Sequence, residues 1–205
     1  MITDAASSSS RIRGRPREFD MDEALDKALS VFSERGYHAT SITELTEAMG
    51  LTSGSVYKAF KDKRGVFLAA FERYRTVRRR ILEERIAAAA SGRDKLRAVL
   101  GVYVDTSHGA TGRRGCLIVN SATDLALFDA EATRHVAAAF EANEQLLLEL
   151  VALGQRDGSI AAELDAEATA RTLLCLLKGM RIVGKTDRSR ADMEAVAQAA
   201  MRLLG

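Results

Sequence analysis

The sequence predicts an all-α protein: a small N-terminal helix-turn-helix domain of three helices, followed by a larger helical domain, about nine helices in total. Three observations lead there. Alanine, leucine, glutamate and arginine dominate a chain that is 47% hydrophobic, with no convincing run of alternating β-branched residues. The single proline, Pro16, stands ahead of the main body, so nothing after it breaks a helical period. Residues 41–63, SITELTEAMGLTSGSVYKAFKDK, read as a short helix, a glycine turn, a second short helix and the start of a third.

The elements follow in order. Residues 1–18, serine-rich and then RIRGRPRE, read as a flexible basic arm. Asp20 with Glu23 opens the first helix as a capping box, and Gly36 ends it. Its apolar stripe is Ala24, Leu25, Ala28, Leu29, Val31 and Phe32. Ser41 with Glu44 caps a second helix over about 42–49, whose stripe is Ile42, Leu45 and Met49. Gly50 closes it, because the turn needs a backbone that accepts positive φ. Thr52 and Ser53 open a third helix over about 53–60, with Val56 and Phe60 turned inward. Asp62 caps a long fourth helix reaching to about Ala90. Its start is apolar, but Arg73, Arg75, Arg78, Arg79 and Arg80 make its middle too polar for a core helix, as in a link between two domains.

Ser91-Gly92 interrupts the pattern, and a helix follows over 93–108. The glycines of GATGRRG (109–115) mark a loop, and CLIVNSATDLALF a short apolar helix. A long helix runs from 129 or 130 to about Arg156 and ends at Asp157-Gly158. Asp165 caps the next, to about Val183, and the last spans about 189–204. The organisation expected is an arm at 1–18, a helix-turn-helix domain at 19–65, and a ligand-binding and dimerisation domain at 66–205.

Charge narrows the function. The net charge is only +2, but residues 1–80 carry 15 Lys+Arg against 11 Asp+Glu, and the remainder carries 15 against 17. One basic cluster is Arg11, Arg13, Arg15 and Arg17, and another Lys58, Lys61, Lys63 and Arg64. Two such clusters flanking a helix-turn-helix suit phosphate neutralisation better than scattered solvated charge. The third helix begins with small polar residues and has no acidic side chain, which suits the major groove of DNA. The candidate DNA contacts are Thr40, Ser41, Thr52, Ser53, Gly54, Ser55, Tyr57, Lys58, Lys61 and Lys63. Gly54 either lets backbone approach DNA closely or relieves packing between the second and third helices. Arg13, Arg15 and Arg17 stand at every second position, as in an arm tracking a minor groove; a tail that only aids solubility has the same composition.

The motif ALSVFSERGYHATSITELTEAMGLTSGSVYKAFKDKRGVF resembles the DNA-binding domain of the TetR family of bacterial transcriptional regulators. The matching residues are Gly36, Tyr37, Thr40, Ser41, Val56, Tyr57, Phe60 and Lys63. The resemblance implies a two-domain all-helical chain, with Tyr57 and the start of the fourth helix holding the DNA backbone. Ser53 stands where many members have Lys or Pro, and Lys58-Ala59 where paired aromatic or histidine residues are common, so no operator sequence transfers. RRGCLIVNSATDL (113–125) resembles a stretch shared by one subset of members.

Several classes are disfavoured. No stretch of 18 apolar residues exists, so no membrane span is expected, and MITDAASSSS lacks a signal-peptide core. Cys116 and Cys175 fit a reduced intracellular protein, and neither they nor the three histidines show a metal-ligand spacing. No nucleophile–base pair is evident, so neither an enzyme nor a cofactor is expected; an adaptor with a vestigial helix-turn-helix is a further rival. Tyr103, Cys116, Asn120, Asp124, Phe128, Phe140 and Asn143 are candidates to line a cavity for a small-molecule effector. Asn120 and Ser121 also read as residues that end a helix. Cys116 has two readings, a redox or electrophile sensor beside Arg113 and Arg114, or a small buried residue. Cys175, amid leucines, reads as structural. Leu173, Leu176, Leu177 and Met180, with Met193, Val196, Ala200 and Leu204, are expected to form the homodimer interface as a four-helix bundle. The expectation is a cytoplasmic, nucleoid-associated homodimeric repressor, released from a palindromic operator when an effector binds, with the fourth helix as lever.

Overall fold

A computed structural model describes residues 20–124 and 129–205. Ten α-helices and one short 3-10 turn make up the regular structure of these residues, with no strand among them. They are α1 (Met21–Ala39), α2 (Ile42–Met49), α3 (Ser53–Phe60), α4 (Lys63–Ala87), α5 (Gly92–Thr106), α6 (Gly109–Arg114), α7 (Leu117–Asp124), α8 (Ala130–Arg156), α9 (Ala166–Val183) and α10 (Arg190–Arg202). The nine helices expected from the sequence are all present. The tenth, α6, stands where the glycines of 109–115 read as a loop.

Local chemistry explains the boundaries. Asp20 accepts the Asp22 and Glu23 amides at the start of α1. The Ser41–Glu44 capping box opens α2, and Gly50 closes it in the left-handed region at φ 69°. Thr52 accepts from the Ser55 amide, and Asp62 from the Gly65 amide at 2.7 Å. Asp165 and a Ser189–Asp192 capping box open α9 and α10.

Two apolar clusters form the interior. The first joins α1, α2, α3 and the start of α4 to α7 and the first half of α8, around Phe32, Leu45, Val56, Phe71 and Leu117. The second joins the end of α4 to α5, the second half of α8, α9 and α10. The core therefore does not divide at residue 65. It continues from the helix-turn-helix into α7, which packs directly on α1. A charged contact reinforces that junction: Arg64 on α4 donates to both Asp129 oxygens, at 2.5 and 2.9 Å, and to Glu131 at 2.7 Å. Most of the arginines of mid-α4 are paired locally. Arg73 bonds Asp22 and Asp26 of α1, Arg75 bonds Glu72, and Arg79 bonds Glu83.

One expectation is corrected here. Leu173, Leu177, Met180, Met193, Ala200 and Leu204 are each buried within their own protomer, 3% exposed or less. Side chains already covered by α5 and α8 offer no surface to a second chain. Leu176 and Val196 are half-buried. Cys175, read as structural, is exposed. It lies on the opposite face of α9 with Gly179, Ile182 and Val183, and Ile182 and Val183 are 52% and 42% exposed.

Candidate nucleic-acid interface and effector cavity

The helix-turn-helix presents α3 outward. Val56 is fully buried and anchors the helix, while Ser53, Gly54, Tyr57, Lys58 and Lys61 are exposed. Tyr57 is 51% exposed, unlike a packing tyrosine. A Cβ built on Gly54 would meet nothing within 4 Å, so this glycine does not relieve packing between α2 and α3. Ser41 and Thr52 are exposed at the two helix starts, but their hydroxyls serve as caps. Ser55 is half-buried and shares a hydrogen bond with Thr52, Oγ to Oγ1 at 2.9 Å.

Two candidates have other partners. Thr40 is 2% exposed, and its hydroxyl donates to the Gly36 carbonyl at 2.7 Å. Lys63 turns its ammonium onto the Tyr37 and Thr40 carbonyls at 3.0 and 2.9 Å, above the Tyr37 ring. Both therefore hold the α1–α2 corner, and only one Lys63 donor is left for a phosphate. Arg13, Arg15 and Arg17 lie outside the described residues.

Behind the head, α4, α5, α7, α8 and α9 enclose a cavity of about 450 Å³. That volume lies within the range of small-molecule sites. Of the cavity residues expected from the sequence, Tyr103, Cys116 and Asn143 line it. Phe140 lies beside it, with the Lys178 ammonium 5.4 Å from its ring. Asn120 is instead bonded by Lys185 at 3.2 Å. Asp124 is exposed beside α1, where a Cβ on Gly36 would stand 3.4 Å from its carboxylate. Neither lines the cavity, because α7 turns them toward other partners. Phe128 lies outside the described residues.

The cavity holds groups that the sequence reading passed over. Tyr74 donates to the Cys116 sulfur at 3.3 Å, Lys178 to the Tyr103 hydroxyl at 3.1 Å, and Arg78 to the Thr106 hydroxyl at 3.2 Å. Arg181, 2% exposed, donates to the Gly115 carbonyl. Burial pushes the Cys116 thiol up, but the Tyr74 hydroxyl and the Arg181 charge, helped by the Val119 amide and Lys178, outweigh it and hold the thiol below its ordinary value. Burial pushes the Tyr74 phenol up, so it stays a donor to that sulfur. The available signal was the i, i+3 spacing of Lys178 and Arg181 in the otherwise apolar second half of α9, which sets two cations on one face. Among the described residues no cluster of histidine, cysteine or carboxylate side chains could hold a metal ion.

An exposed helix bearing small polar and basic residues, set on a three-helix head and joined by a continuous helix to a larger helical domain, is the arrangement of a DNA-binding regulator. Residues 24–70 match the family described as bacterial regulatory proteins, tetR family, and residues 92–200 match the tetracyclin repressor-like C-terminal domain. The chain belongs to the TetR family and is a DNA-binding transcriptional regulator. It is 29% identical to the HTH-type transcriptional repressor ComR of Escherichia coli (strain K12), over 99% of this chain and 97% of ComR. It is 30% identical to the HTH-type transcriptional regulator YezE of Bacillus subtilis (strain 168), over 76% of this chain and 78% of YezE. Among solved structures it resembles a cysteine mutant of the TetR family regulator CifR, complexed with 26-base-pair double-strand operator DNA. The identity is 31% and the TM-score 0.83, over 93% of this chain and all of that one.

Proposed function

We propose that the chain is a cytoplasmic homodimeric repressor, released from a two-fold symmetric operator when a small molecule occupies the cavity. The observation that carries the reading is the cavity's position. Its wall takes Tyr74, Arg78 and Leu82 from α4 and Cys116 and Ile118 from the region of α7, and both helices also belong to the packing of the head. An occupant that fits one arrangement of these helices better than another shifts the population of head positions. Two heads must meet successive major grooves, so a small rotation breaks the match on one side or both. ComR is a repressor and CifR is known in complex with operator DNA, which supports the same role here. Ser53, Gly54, Ser55, Tyr57 and Lys58 of α3 contact DNA in this reading, with Lys61 at its end; two-fold pairing uses the exposed face of α9 at Ile182 and Val183.

Linkage supplies the test, because coupling between two ligands is reciprocal. The purified chain is titrated with DNA from upstream of its own gene, and compounds that raise its Tm are then added. Each such compound is expected to weaken operator binding. Compounds that stabilise the protein and leave operator affinity unchanged would rule release out.

A second reading has its own support. The lowered Cys116 thiol at the cavity wall is an electrophile target, as for a thiol-sensing repressor. Cys116→Ser separates the two. Loss of the response to a thiol-reactive electrophile favours the thiol, and a retained response removes it.

A further inference from the structure

The cavity's charges are unevenly matched. On its wall Glu72 pairs with Arg75 and hydrogen-bonds His135, and Glu83 pairs with Arg79. Arg78, Lys178 and Arg181 form no ion pair among the described residues and bond only neutral oxygens. Arg181 is the most telling of the three. Its Nε and Nη1 are buried and have no hydrogen-bond partner among the described residues. An uncompensated buried guanidinium with two unmatched donor nitrogens is costly, and natural interiors rarely keep one without a role. The Cys116 thiol is close enough to feel both Lys178 and Arg181, so the unmatched positive field extends to the cavity wall. Much of the remaining wall is apolar: Leu82, Ile86, Ile118, Ala139 and Leu146.

We infer that the effector is a carboxylate with an apolar tail, held by Lys178 and Arg181. This rests on the cavity's being the effector site. A single anionic head would take up the unmatched donors, and the tail would lie along the aliphatic wall.

Sodium octanoate and sodium benzoate, with octanamide and benzamide as uncharged matches, test the inference on the full chain by Tm and by operator binding. The carboxylates are expected to raise Tm and weaken operator binding about tenfold or more, while the amides do neither. Lys178→Met should lose the response to carboxylates and still bind operator. Arg181→Met should be more stable than the parent without added anion and gain nothing from one. Amides acting where carboxylates do not would overturn the anion site and leave the effector reading intact. Carboxylates that raise Tm without touching operator affinity would keep the site and overturn release. No Tm response to either carboxylate, or an undiminished response in both variants, would overturn the inference.

Discussion

Gly54→Ala separates reading DNA from building the fold. Gly54 is the second residue of α3, one turn from Tyr57 on the exposed face. In the free protein the added methyl meets no atom within 4 Å, so the only change expected there is helix propensity. Alanine exceeds glycine by roughly 0.5–1 kcal/mol within a helix. For a chain of this size that corresponds to a Tm rise of ~1–4 °C. In the proposed reading the same methyl, on DNA, stands where backbone approaches a groove wall. Losing about 1.4–3 kcal/mol there lowers affinity about 10–150-fold. The assay pairs thermal unfolding with fluorescence anisotropy on a labelled upstream fragment at fixed salt, since phosphate contacts make affinity salt-dependent. A fall in Tm would show a packing role that the geometry excludes. A rise in Tm with operator affinity unchanged would refute close approach of α3 to DNA at this position.

Three further outcomes follow from the packing. Gly65→Ala puts a Cβ 1.8 Å from the Phe60 carbonyl oxygen, so α3 and α4 must separate; a loss of about 3 kcal/mol or more is expected, read as a Tm drop of roughly 6–12 °C. Asp129→Asn removes the Arg64 pair but keeps an acceptor at the α8 cap, costing about 1 kcal/mol or less, while Asp129→Ala also loses the cap and about 1 kcal/mol more. The Arg64 hydrogen bond and the Ala132 amide hold the Asp129 carboxyl below its ordinary value. The gap between the parent and Asp129→Asn in denaturant titrations should therefore be full at pH values above about 4 and close as pH falls through the folded-state value. Ile182→Asp places like charges on both partners of the proposed two-fold contact, so light scattering should find a helical monomer with weakened operator binding; an intact dimer would move the interface elsewhere.

Much of the helical order was legible because caps are local chemistry. Ser41, Thr52, Asp62, Asp165 and Ser189 each hydrogen-bond amides within three residues, so the chain announces these starts without its tertiary structure. The loop assigned to 109–115 failed for a related reason. Glycines usually punctuate, but Gly112 is helical and buried, and a Cβ there would stand 2.7 Å from the Ser107 backbone. The dimer residues failed differently. Periodicity shows which face of α9 is apolar and buried, and says nothing of what covers it; Leu173 and Leu177 are covered from within. The caps of α2 and α3 were legible, but not that Thr40 and Lys63 hold the corner between α1 and α2, because the partners of Lys63 are 23 and 26 residues away.

The sequence assigned the link between domains to the fourth helix alone, and the packing gives it a second member. A single 25-residue helix transmits a push at its far end only if the body at its near end is free to follow. Here the head is not free, since α1 packs on α7 and Arg64 binds Asp129 and Glu131 at the start of α8. A cavity occupant that moved α4 but left α7 in place would have to break that junction. Tyr74 of α4 is bonded to Cys116, just ahead of α7, so the two helices are also tied to each other at the cavity. The cavity is lined by both ends of that bond, so in the proposed reading an effector acts on α4 and α7 together, with the head carried by both.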